Sequence, residues 1–503
     1  GLSGYALRNT MNNNKLPKIG RSKDDIISAL KEYGSQDPAY KDGRTWSLVY
    51  YLGEDHTSLL QDAYNMYFSA NGLNPMAFKS LKQLESNIIR ITADLLNGDE
   101  NVCGVVTSGG TESCLLAVKT YRDYGKAKKR IKKPQMIIPE TAHVAWEKGG
   151  EYFGVEIFRA PLDKDYRVDV QAVKKMITKN TIMILGSAPE YPHGIIDPIE
   201  ELGQIASARV IPLHVDACVG GYILPFIEKL GPKLTPWDYR VPGVTSISAD
   251  THKYGFAAKG ASTITYRSKD ILKYQFFVYE NWPGGIFASP ALLGTRPGGS
   301  YAAAWAALQL IGEKGYLKIT NTIMETTRKL INGINAIEGL HIIGNPKASL
   351  FSYQSLSPEI NIYAVGDEME KRGWHIDRLQ KPEALHAMVV PKHAEVVDTY
   401  LSDLEEAVEI VKQHPELSTQ GDAAMYGMIS NVPFRGVIRK QVLDIFTNLY
   451  GPKNEMIDLK NASITSSDKN DSNIQALSKK LSEKLLNIYV RHKQTRAAKR
   501  MKS

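Results

Sequence analysis

Between Val102 and Tyr266, short β-branched runs alternate with segments of helical periodicity, and this alternation constrains the fold more than any other feature of the chain. The runs predict strands at Val102 to Thr107, Gln135 to Ile138, Val155 to Arg159, Thr181 to Leu185, Val210 to Val215, Thr245 to Ser248 and Ser262 to Tyr266. Strand-helix units in series build a mostly parallel sheet covered by helices, an α/β architecture. Helical patterns at Gly299 to Lys314 and Leu317 to Ile337 then lead to apolar runs at Leu340 to Ile343, Leu350 to Tyr353 and Leu385 to Val390. Further helical patterns lie at Ile360 to Arg372 and Ala394 to Gln413. This second part reads as a smaller C-terminal α+β domain. The division expected is an N-terminal segment 1–60, a large domain 61–315, a small domain 316–450, and a polar linker with a basic tail, 451–503. No internal repeat is present.

Composition excludes several classes. With 503 residues, 43% hydrophobic and 23% charged, the chain is neither fibrous nor disordered as a whole, and it is long enough to bury a large core. Its three cysteines, Cys103, Cys114 and Cys218, have no paired spacing, so neither a disulfide framework nor a zinc site is suggested and no metal is expected. The net charge of +8 is concentrated in Ser478 to Ser503, where nine Lys/Arg face the single acid Glu483; the rest of the chain is neutral. Nucleic acid is therefore not an expected partner. Leu481, Leu485, Ile488 and His492 fall near one helical face of this tail, as an interfacial helix at a membrane surface requires; a solvated tail is the plain alternative. No apolar run approaches the ~20 residues of a membrane span. The chain thus reads as soluble, with the cytoplasm as default compartment. It opens on Gly1, which leaves room for an upstream segment, an anchor, and a membrane-associated or host-targeted location.

Four segments could carry chemistry. Thr107-Ser108-Gly109-Gly110-Thr111-Glu112 joins a strand to a helix, where glycines permit a tight turn and free N–H groups favour a phosphate; a plain capped turn is the alternative. Asp216 ends a β-branched strand, where open α/β sheets place ligands, although an acid there also caps turns. Lys253, in Asp250-Thr251-His252-Lys253-Tyr254-Gly255, follows another strand; stripped of solvent its pKa would fall, and a free amine can form a Schiff base with an aldehyde. His143 follows the strand at Gln135 and offers a ring that can stack on an aromatic group, where a purely structural histidine is the commoner case. In this order, at successive strand ends of one sheet, the four supply what pyridoxal 5′-phosphate needs: a phosphate cradle, a stacking ring, a carboxylate for the pyridine nitrogen and an amine.

The wording of these segments resembles fold type I pyridoxal-phosphate enzymes related to the group II decarboxylases, and most closely the sphingosine-1-phosphate lyases. Asp250 to Gly255 followed by Lys259-Gly260 carries the resemblance, with Pro192-His193-Gly194-Ile195-Ile196-Asp197-Pro198 and Gly294-Thr295-Arg296-Pro297-Gly298-Gly299, over about Lys41 to Met428. The resemblance implies Lys253 as the Schiff-base lysine, Asp216 at the pyridinium, His143 on the ring, and Gly110, Thr111 and His252 at the cofactor phosphate, completed by Thr295 from the second subunit of a homodimer. It further implies Tyr50, Lys259 and Tyr426 near the reacting carbons, and Asn71, Asn74 and Tyr191 near the substrate phosphate, several of them donated across the dimer. Asn74 stands where these lyases usually carry a histidine, and an amide cannot become cationic. The implied reaction is retro-aldol cleavage of the C2–C3 bond of a phosphorylated long-chain base to a long-chain aldehyde and phosphoethanolamine. An amino-acid decarboxylase of the same fold is the nearest rival. A non-catalytic protein acting at membrane surfaces through its basic tail is the rival of another class.

Overall fold

The computed structural model describes residues 16–35, 37–431, 435–452, 457–458 and 463–464. The basic tail expected at a membrane surface lies outside the described residues.

All seven expected strands form, and in one sheet: β1 Cys103–Thr107, β2 Gln135–Pro139, β3 Glu156–Ala160, β4 Thr181–Ser187, β5 Leu213–Asp216, β6 Val244–Ala249 and β7 Ser262–Tyr266, in the order β1-β7-β6-β5-β4-β2-β3. The run from β3 through β6 is parallel, while β7 is antiparallel to both β6 and β1. Both faces of the central strands are covered, so alternate residues enter different cores. Ile137 and Ile184 point into one, and Met136, Ile138, Met183 and Leu185 into the other, beneath the helices Gly110–Lys129 and Ala145–Phe153.

One strand starts later than its β-branched run. Val210 does not open β5: it closes the helix Ile199–Arg209 in a left-handed conformation (φ 53°), its N–H returning to Ala206 and Ser207. Pro212 then lacks an N–H for the ladder, and β5 begins at Leu213.

The two Ala-rich and Leu-rich helical patterns form one element, Gly298–Ala336, broken at Gly312 (φ 56°, ψ 176°), a backbone that glycine tolerates. Beyond it β10 Leu340–Ile342, β11 Leu350–Ser355, β12 Asp377–Gln380 and β13 Glu383–Met388 form an antiparallel sheet ordered β10-β11-β13-β12. The helix Ile362–Lys371 starts where the Asn361 side chain accepts from the N–H groups of Tyr363 and Ala364, and Val397–Gln413 packs beside it. A hairpin of Phe277–Tyr279 with Phe287–Ser289, β8 and β9, stands outside both sheets. Among the described residues no helix is long and apolar enough to cross a membrane.

Candidate active site

Register decides where the functional side chains meet. Ser187, Asp216 and Ser248 pair laterally across β4, β5 and β6, so all three strands end at one level. The loops beyond that rim enclose a cavity of about 650 Å³. It receives Tyr50, Gly110, Thr111, His143, Tyr191, Asp216, His252, Lys253 and Lys259.

The turn after β1 delivers Gly110 to the wall. A Cβ there would lie 2.6 Å from Asp250 Oδ2 and 3.1 Å from Cys218 Sγ, so only glycine fits. The first bond of the helix that follows runs from Ser113 N to Gly109 O, which leaves the N–H groups of Gly110, Thr111 and Glu112 ahead of the ladder. Glu112 braces the turn, accepting from Ser108 N at 2.6 Å and from Leu292 N at 2.9 Å.

Asp216 accepts from Trp146 Nε1 at 2.9 Å and from Cys218 N at 3.1 Å. Burial alone would raise its pKa, but these donors bring it below the ordinary carboxylate value. His143 accepts from Ala145 N through Nδ1 at 3.1 Å, and burial lowers its pKa, so the ring is neutral.

Lys253 departs from the sequence expectation. Desolvation does act to lower its pKa, yet Asp250, whose Oδ2 lies 3.0 Å from Nζ, reverses the sign, and the ammonium is held above the ordinary lysine value. Asp250 is 1% exposed and accepts from Ser262 Oγ. His252 Nε2 lies 3.7 Å from the same Asp250 oxygen. Its pKa is pushed down to about 4 by burial, with the Lys259 and Lys253 charges adding, and its buried Nδ1 has no hydrogen-bond partner among the described residues.

Of the two cavity lysines, Lys259 is the one with a lowered pKa. Although one side of its chain is exposed, loss of solvation and then the Lys253 charge bring it down to about 8. Its ammonium lies 5.0 Å from the Tyr50 ring centroid. Tyr50 points its hydroxyl at Met388 Sδ, 2.8 Å away; Tyr191 donates to Asp377 at 2.8 Å and stacks on His386. Burial raises the pKa of both phenols, so they remain protonated donors.

Four expected site residues are not brought into this cavity by the single chain. Asn71 and Thr295 meet each other at 3.3 Å on an exposed edge, tied to the body by Arg296, which pairs with buried Glu85 at 2.5 Å. Asn74 accepts from Met76 N and Ala77 N and caps its own turn. Tyr426 packs on Tyr363 and beneath Arg378. Conversely, Asp250 was overlooked as a partner although it stands three residues before Lys253, and Trp146 although it stands three after His143. Nothing in their spacing shows that Cys114 and Cys218 converge: with Asp216 they place three ligand atoms within 4.8 Å of one another.

This donor set fits a phosphorylated aromatic aldehyde: free N–H groups at a helix start, a neutral ring, an ionised carboxylate on a deep wall, and an amine. Comparison with known proteins agrees. The pyridoxal-dependent decarboxylase conserved domain matches residues 43–355. The sphingosine-1-phosphate lyase of Arabidopsis thaliana is 44% identical over 434 residues, 85% of this chain and 79% of that one. The chain belongs to the sphingosine-1-phosphate lyase family. Sphingosine-1-phosphate lyase 1 of Rattus norvegicus is 43% identical, across 86% of this chain and 75% of its own. The structure of the Burkholderia pseudomallei lyase superposes with a TM-score of 0.78 at 35% identity, covering 86% of this chain and 97% of that one. The glutamate decarboxylase of Lactobacillus brevis, TM-score 0.71 at 21% identity over 81% of this chain and 97% of its own, shares the fold. This is the fold type I architecture, and the cofactor of this lyase family member is pyridoxal 5′-phosphate.

Proposed function

We propose that the protein cleaves the C2–C3 bond of sphingosine 1-phosphate or a related phosphorylated long-chain base, releasing a long-chain aldehyde and phosphoethanolamine. The observation that carries this reading is the convergence of Lys253, Asp216, His143 and Gly110 on one cavity in a chain 40–44% identical to lyases from plants, mammals and yeast. The solved decarboxylase of Lactobacillus brevis, at 21% identity, shares the fold alone and does not favour the decarboxylase alternative.

When bound, the cofactor supplies an electron sink for the pair left at the amino-bearing carbon. Gly110, Thr111 and His252 would hold its phosphate; the spare Nδ1 of neutral His252 suits such a contact. Asp216, kept anionic by Trp146 and Cys218, would hold the ring nitrogen, and His143 would offer its ring. Lys253 must pass its proton to become nucleophilic, and Asp250 at 3.0 Å is the group that holds it. The free amine of Lys259 takes the proton of the substrate 3-hydroxyl; the C2–C3 bond then breaks, and the resulting ammonium can return the proton at C2. Tyr50 and Tyr191 donate hydrogen bonds, while Leu48, Pro189, Val219 and Met388 dry the walls.

A second copy of the chain completes the proposal. Phe277, Val278, Tyr279, Trp282, Ile286 and Leu292, on and around the β8–β9 hairpin, are exposed, as are Met66, Phe68 and Met76 near Asn71. Exposed apolar side chains of this number suit a homodimer, whose partner would bring Thr295, Asn71, Asn74 and Tyr426 to the cavity. The division into 1–60, 61–315, 316–450 and 451–503 belongs to the same reading. So do a cytoplasmic location and membrane-surface contact through Ser478 to Ser503, which vesicle binding of a tail-deleted protein tests.

The decisive experiment compares wild type with Lys253→Ala. The wild type should show the visible absorbance of the bound cofactor and release aldehyde and phosphoethanolamine in equal amounts; the variant should show neither. Carbon dioxide release from an amino acid in place of cleavage would overturn the proposal.

A further inference from the structure

Cys114 and Cys218 are far apart in sequence, yet both are buried in the wall of the cofactor cavity beside Asp216. Cys114 sits in the first turns of the helix Gly110–Lys129, and Cys218 two residues beyond β5; the fold alone unites them. The Cys114 sulfur lies 3.9 Å from Asp216 Oδ2, and the two sulfurs and a carboxylate oxygen all fall within 4.8 Å of one another.

A tetrahedral zinc-class ion with bonds of about 2.3 Å to sulfur and 2.1 Å to oxygen separates sulfur from oxygen by roughly 3.6 Å and the two sulfurs by roughly 3.8 Å. Contraction of at most about 1.2 Å brings the three donors to that geometry, and side-chain torsions can supply it. Two thiolates and a carboxylate select soft or borderline divalent ions over magnesium or calcium. All three residues line the cavity, from which a fourth ligand would come. Trp146 Nε1 and the Cys218 N–H already orient the carboxylate, as outer-shell donors do in metal sites.

We propose that Cys114, Asp216 and Cys218 form a binding site for a soft divalent metal ion of the zinc class, open in the cofactor-free chain and closed by the cofactor. Exclusion follows because Asp216 cannot serve both the metal and the ring nitrogen; this part rests on the reading of Asp216 given above. Binding displaces two thiol protons. The metal would thus capture newly made or cofactor-depleted protein and compete with loading.

Cadmium serves as the probe because its bonds to thiolates absorb in the ultraviolet. Full-length protein is titrated with cadmium chloride both as holoenzyme and after removal of the cofactor, with circular dichroism verifying the fold. The stripped wild type should gain the thiolate–cadmium band at one ion per chain. Cys103→Ser should behave identically, and Cys114→Ser, Cys218→Ser and Asp216→Asn should each bind at least tenfold more weakly. Reloading with pyridoxal phosphate, followed separately by its visible absorbance, should suppress the band at least tenfold. A folded, stripped wild type without the band, or a band untouched by Cys114→Ser and Cys218→Ser, overturns the site. A band that survives cofactor loading overturns the exclusion, and failure of loading itself counts against the cofactor reading alone.

Discussion

Raising the pH from 6 to 10 should titrate one cavity lysine well before any ordinary one. Lys259 is brought down to about 8, first by desolvation and then by the Lys253 charge, while Asp250 pulls the other way. With that value roughly a tenth of the side chains are free amine at pH 7, half at pH 8 and about nine-tenths at pH 9. Because the free amine is the form that accepts the 3-hydroxyl proton, kcat/KM should rise with pH, by about tenfold between pH 7 and 9, and then level off. A lysine at its usual ~10.4 would still be climbing steeply there. Lys259→Arg keeps the charge across the range and should lose the step. Lys253→Gln removes the repelling neighbour and leaves Asp250 unopposed, so it should move the Lys259 midpoint upward. The midpoint can be read independently of turnover by competitive acetylation with trace anhydride and mass spectrometry of the peptide carrying Lys259. A wild-type midpoint above 10, or a step retained in Lys259→Arg, refutes the argument.

Three further outcomes are expected. Glu85→Ala strands the buried Arg296 guanidinium and should cost about 3–5 kcal/mol in denaturant unfolding; a loss under about 1 kcal/mol would mean the pair is solvated. Gly110→Ala should weaken cofactor binding at least tenfold in an equilibrium titration, because its methyl would lie 2.6 Å from Asp250 Oδ2, and unchanged affinity would show that the wall yields. Asp216→Asn leaves an acceptor for Trp146 but removes the charge; kcat should fall about 10²–10³-fold with cofactor still bound by absorbance, whereas an unaltered kcat would remove Asp216 from the chemistry.

The central strands were legible because burial on both faces demands uninterrupted apolar runs, as at Thr181–Ser187, where every residue is buried. β12 was not: Asp377–Gln380 is a polar, half-covered edge strand whose pairing with β13 supplies the order its side chains do not. The short β8–β9 hairpin was equally silent, since its exposed aromatics match no buried face. At the site, Lys253, Asp216 and His143 stood out because each lies at or just beyond the carboxyl end of a strand, where the sheet points its loops at the ligand. The protonation of Lys253 did not. Burial is a fair guess for a lysine at a strand end, but a carboxylate 3.0 Å away outweighs it, and that distance is set by how the turn from Asp250 to Lys253 folds back.

Periodicity and residue type, read along the chain, therefore determined the α/β class and the strands of the seven-strand sheet, and pointed to the cofactor and to candidate side chains for it, because these depend on local patterns that any fold of this chain must satisfy. The tertiary structure alone decided which charges face each other. The register aligning Ser187, Asp216 and Ser248 brings Asp250 against Lys253 and leaves Lys259 poorly solvated, and it draws Cys114 and Cys218 to one carboxylate. Electrostatic energy varies with separations of a few ångströms across strands, and linear sequence does not carry those separations.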